Sequence, residues 1–183
     1  MIRTLTLTAT ALVALAGLAA SAQASAQPYA GQQSREIAAL SAQDVEDLLA
    51  GRGWGLAKPA ELNGYPGPAH VLELADDLDL DPAQRAAIKA IFDAMQAEAK
   101  RLGSEFVDVE ARLNAAFAEG AIDTARLTAL TAEAGRIRGE LRAVHLAAHL
   151  DVKPLLTHHQ IMTYQRLRGY DDGHAGHGMH GHD

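Results

Sequence analysis

From Asp81 to Ala116 the chain reads DPAQRAAIKAIFDAMQAEAKRLGSEFVDVEARLNAA. Asp81 is an N-cap residue, Pro82 takes the first helical position, and Gln84 stands third, where its side chain reaches back to the cap. Apolar residues then recur at Ile88, Phe92, Met95, Ala99, Leu102, Phe106, Val109, Leu113 and Ala116, in steps that alternate between four and three. That period keeps one stripe of a helix apolar over successive heptads, and such a stripe requires a partner. Gly120 ends this helix, Asp123 caps the next, and Leu127, Leu130, Ala134, Ile137, Leu141, Val144 and Ala148 form its stripe. Two long helices joined by so short a turn pack antiparallel, as a hairpin.

Upstream, Ser41 with Asp44 three residues on predicts a short helix that stops at Gly51. Glycines and prolines then break the chain as far as Pro68, with at most a helical turn near Leu56 to Leu62. From Ala69 to Leu78 a second helix is expected, with Val71, Leu74, Ala75 and Leu78 on one face. Downstream, Pro154 removes a donor and bends or stops the second long helix, and a last helix runs from Thr157 to about Arg168. Alanine, leucine, glutamate and arginine predominate and β-branched runs are absent, so the class is all-α.

Arg3, an uncharged apolar run from Leu5 to Ala20, and a small-residue segment ending Ala24-Ser25-Ala26 have the layout of a secretory signal peptide, residues 1–26, cleaved after Ala26. The organisation expected is therefore leader 1–26, a short helix with a Gly/Pro-rich segment over 27–68, the hairpin domain over 69–169, and a Gly/His-rich tail over 170–183 that packs no core. The formal charge of -7 argues against a nucleic-acid partner. With no cysteine present, disulfides and a lipid anchor on cysteine are excluded, and a metal site must use histidine, carboxylate or methionine. Neither a nucleophile elbow, a phosphate loop, a His-Glu-x-x-His pair nor paired catalytic carboxylates is present, so the chain does not read as an enzyme.

His145 and His149, four apart on the second long helix, lie on one side and toward the edge of its stripe, within reach of one metal ion. His70 and Glu73 are three apart on the short helix and face one neighbour together, with Asp93 a weaker candidate carboxylate. If that helix crosses the end of the hairpin, His70, Glu73, His145 and His149 make a site suited to Zn, Cu, Ni or Co rather than Ca or Mg. The tail holds His174, His177, Met179, His180 and His182, an auxiliary set of soft and borderline donors. His158 and His159 read as surface residues, the arginines 126, 136, 138 and 142 as a solvated basic side, and Gly135 with Gly139 as a small-residue pair.

Two boxes flank the hairpin: Leu80-Asp81-Pro82-Ala83-Gln84 and Leu156-Thr157-His158-His159-Gln160. Physically Asp81 with Gln84, and Thr157 with Gln160, are helix caps. Together with the leader, the missing cysteines and the histidine tail, they make a chain that resembles the Spy/CpxP superfamily of small periplasmic proteins, and within it the heavy-metal sensor and zinc-resistance-associated members (CnrX and ZraP type). The resemblance implies a hooked hairpin, a homodimer, and either metal sensing with an inner-membrane sensor as partner or ATP-independent holding of unfolded envelope proteins. It also implies metal ligands at His70 and at the His145 and His149 pair, where His149 replaces the methionine of the sensors. Leu74 stands where those sensors carry a second histidine.

Overall fold

A computed structural model describes residues 27–170; the leader assigned to 1–26 and the tail residues 171–183 lie outside them. The chain's contacts divide it after Gly31. Residues 28–31 form turns, and the described helices lie in the unit from Gln32 onward. All regular structure among the described residues is helical: α1 (Ala42–Leu49), α2 (Lys58–Glu61), α3 (Pro68–Glu73), α4 (Pro82–Ala118), α5 (Thr124–Val152), a 3-10 turn (Lys153–Leu155) and α6 (His158–Leu167). The long hairpin of α4 and α5 dominates, and α1 and α3 both lie against α4.

The boxes behave as caps and as something more. Asp81 accepts from the Gln84 amide at 2.8 Å while Gln84 accepts from the Asp81 amide at 3.0 Å, and Thr157 and Gln160 repeat the exchange. The two glutamine amides then meet: Gln84 Nε2 donates to Gln160 Oε1 at 3.0 Å and to the Leu155 carbonyl at 2.8 Å, while Gln160 Nε2 donates to Gln84 Oε1 and to the Leu78 carbonyl, both at 3.1 Å. One helix start is thereby clasped to the other across the base of the hairpin.

Two details differ from the pattern. The short helix expected over Ala69 to Leu78 stops at Glu73, and the chain turns through Asp79 at φ +48° into the Asp81 cap. Glu73, Asp76 and Asp77 would stack negative charge on the carbonyl end of a longer helix, which its dipole opposes. Leu127 is 37 % exposed rather than part of the stripe, and the covered part of α5 begins at Leu130. α1 approaches α4 at Gly103, where a Cβ would stand 2.1 Å from the Leu48 carbonyl oxygen, so only glycine admits this approach.

The apolar interior forms two clusters. One, from Ile37 to Leu141, includes Leu48, Ala99, Leu102, Phe106 and Ile137; the other, at the base, includes Val71, Leu78, Ile88, Val152, Leu156 and Tyr164. Between Ile88 and Ala99 on α4, and between Leu141 and Val152 on α5, the stripe opens onto a cavity.

Candidate metal centre

The cavity has a volume of about 530 Å³. α5 contributes His145 and His149, α3 contributes His70 and Glu73, α4 contributes Phe92 and Met95, and α2 contributes Glu61. All four residues proposed from the sequence therefore line one cavity. The short helix reaches His145 and His149 because Pro66, Gly67 and Pro68, all buried, carry it across α5. A Cβ on Gly67 would lie 2.9 Å from His149 Nε2, so this crossing also requires glycine. Asp93 pairs with Lys89 at 2.7 Å on the exposed side of α4 and does not line the cavity.

The imidazoles are more deeply set than an edge position suggests, His145 at 3 % and His149 at 7 % exposure. Burial, and after it the neighbouring His149, hold the His145 ring below the ordinary histidine pKa, so it is neutral at pH 7. Its Nε2 is buried with no hydrogen-bond partner among the described residues. His149 Nδ1 stands 2.6 Å from the Tyr65 carbonyl. A carbonyl oxygen can only accept, so that nitrogen donates, and in the neutral ring Nε2 then carries the lone pair, the arrangement that orients metal-ligating histidines.

Glu61, which the sequence reading did not single out, is the hub of the site. Its Oε1 accepts from the Tyr164 hydroxyl, and from the Tyr170 hydroxyl at 3.2 Å, and lies 3.4 Å from His70 Nδ1 and 3.6 Å from Arg168 Nε. Its Oε2 lies 3.7 Å from His149 Nδ1 and has no hydrogen bond among the described residues, another buried orphan. Burial, then the bond to Glu61, push the Tyr164 phenol far above its usual pKa, so it stays a donor. His70 is held differently from the α5 pair: its Nδ1 faces the Glu61 carboxylate and its Nε2 is 3.4 Å from an Arg168 nitrogen, a cationic neighbour. Glu73 is exposed at the rim.

Two imidazole side chains and an orphaned carboxylate oxygen at one cavity are a donor set that suits Zn, Cu(II), Ni or Co. The set is open as it stands: among the described residues no three histidine or carboxylate side chains gather closely enough to hold an ion. His158 and His159 are exposed, as is Gly139, where an added Cβ would meet nothing within 4 Å among the described residues. The arginine side of α5 is partly engaged, Arg136 with Glu140 at 2.8 Å and Arg138 over the Trp54 ring. No helix among the described residues is long and apolar enough to cross a membrane.

No curated protein and no solved structure matches the chain. The model of the LTXXQ motif family protein matches residues 69–168, a span that holds both boxes, the clasp between them and both long helices. The chain belongs to that family, the Spy/CpxP-like superfamily of periplasmic helical proteins.

Proposed function

We propose that the chain is an exported, non-enzymatic periplasmic protein that binds a transition-metal ion in the cavity beside the clasp, in heavy-metal sensing or resistance. His145 and His149 would hold the ion through Nε2 and Glu61 through Oε2, with His70 and Glu73 toward the rim. A bound divalent ion would supply positive charge to a site that already holds a carboxylate. The observation that carries this reading is the pair of buried, unpartnered polar atoms, His145 Nε2 and Glu61 Oε2, in one cavity. Burying such groups unpaired costs on the order of 1–3 kcal/mol each, and a ligand that satisfies both removes the cost.

Calorimetric titration with Zn, Cu, Ni and Co tests it, using the chain with His174, His177, His180 and His182 changed to alanine. Tight binding that survives this change and disappears on His149→Ala supports the reading. Binding that vanishes with the tail histidines alone overturns it.

A second reading is a metal-indifferent holding chaperone, favoured by the exposed Leu62, Phe117, Leu150, Met162 and Leu167. It requires suppression of client aggregation that a chelator leaves unchanged. A homodimer read by an inner-membrane sensor is the arrangement through which metal binding would be reported.

A further inference from the structure

Two residues of the α4 stripe stand outside the apolar clusters. Ile88 and Ala99, both at 0 % exposure, belong one to each cluster, whereas Phe92 and Met95 between them are half-buried and belong to neither. Both line the cavity together with His145 and His149. A methionine on such a stripe ordinarily fills a gap in the core. Met95 instead lines the space that the two imidazoles line.

The chain has four methionines and no cysteine, so sulfur is scarce. Met1 and Met179 fall outside the described residues, and Met162 is 44 % exposed and does not line the cavity. Imidazoles and carboxylates alone do not complete a site, since among the described residues no three of them gather closely enough to hold an ion. His145 Nε2 is unpartnered and His149 Nδ1 is anchored to the Tyr65 carbonyl, so α5 presents a nitrogen pair one turn apart that lacks a third donor. A thioether is neutral and polarisable, and thioether donors select Cu(I) from the harder divalent ions. Cu(I) has a filled d shell and accepts low coordination numbers, so two imidazoles and one sulfur suffice. The surroundings favour the same ion. Trp54, Pro68 and Phe92 line the cavity, and the cost of burying an ion among apolar groups rises with the square of its charge, which opposes a divalent ion more than a monovalent one.

We propose that Met95 is a metal ligand whose thioether sets the preference of the site: with His145 and His149 it holds copper as Cu(I) ahead of Zn(II), Ni(II) and Co(II). This rests on the metal reading above and narrows it to one ion.

The test uses full-length protein in which His174, His177, His180 and His182 are changed to alanine and Met179 to leucine, so that the tail donors do not compete. Cu(I) is offered without oxygen against the chromogenic chelator bicinchoninate, and Zn(II) is titrated separately. This parent should take about one equivalent of Cu(I) from the chelator, and X-ray absorption should show sulfur bonded to the copper. Met95→Leu keeps the volume and apolar character of the side chain. It should weaken Cu(I) binding by roughly tenfold or more and abolish the sulfur signal, while Zn(II) affinity changes by less than about twofold, which also shows that the variant folds. Unchanged Cu(I) affinity, or a sulfur signal that survives in the leucine variant, overturns the proposal and leaves the metal reading standing. An equal loss for both ions makes Met95 a packing residue and overturns it too, as does a parent that binds Zn(II) but not Cu(I). A parent that binds neither ion removes the metal reading itself.

Discussion

Asp44 shows how one side chain serves two structures. Its carboxylate closes the α1 capping box with Ser41 and also accepts from the Trp54 indole at 2.8 Å. Those bonds, Ser41 first and Trp54 second, hold its pKa below the ordinary aspartate value. A depressed pKa in the folded state means the contribution is complete above the ordinary carboxylate range and fades as pH falls through the folded value. Asp44→Ala should cost about 2 kcal/mol, one for the cap and one for the indole bond, in urea unfolding followed by Trp54 emission. The same variant should flatten the acid side of the stability profile below about pH 4. The cap was legible because Ser41 and Asp44 are three residues apart. The tryptophan contact was not, because it crosses a glycine-rich turn in which Trp54 itself stands at φ +44°. Glu61 was hidden for a related reason. Its partners Tyr164, Arg168 and Tyr170 come from the far end of the chain, and the short helix that carries it lies in a Gly/Pro segment with no periodicity. The only local hint was Pro59 two residues before it, in the first turn of α2.

At the scale of elements, the hairpin was readable almost to its ends because heptad spacing is a local property of each helix. What spacing does not reveal is where a stripe stops being covered, and so Leu127 was included and the opening at Phe92 and Met95 was not seen. Gly103 likewise gave no sign, since a glycine inside a long helix is a liability until another backbone is known to lie on it. Gly103→Ala should destabilise the fold by roughly 3 kcal/mol, the upper end for overpacking, because the Leu48 carbonyl it meets is fixed backbone; thermal unfolding would register it. The boxes were read as separate caps, and their meeting needed the tertiary fold. Because Gln84 and Gln160 each donate to and accept from the other, the alanine changes should not add. A double-mutant cycle should return a coupling of about 1 kcal/mol or more, whereas independent caps would return none.

For the whole molecule, a cavity with orphaned polar atoms between two apolar clusters sets stability against binding. His145→Leu replaces a buried ring whose Nε2 is unpartnered by an apolar side chain, and the metal-free protein should gain about 1 kcal/mol while losing its affinity for the metal ion. The native chain should recover more than that on loading. At a free metal concentration one hundred times Kd, linkage adds about 2.7 kcal/mol, seen as a rise in Tm that the leucine variant lacks. No change in Tm for the native protein under those conditions would contradict a site in the folded core.

The clasp between the glutamines bears on the order in which the protein assembles. It joins residues 76 apart in the chain, while most contacts of the hairpin are made through one short turn, so the hairpin can form first and the bond between its two feet only afterwards. Amide protons of α6 should then exchange with deuterium ahead of those in the middle of α4 and α5, as a sub-global opening that leaves the hairpin closed. Since Tyr164 and Arg168, which grip Glu61, belong to that same late segment, an ion in the cavity should slow the exchange of α6 more than that of any other helix.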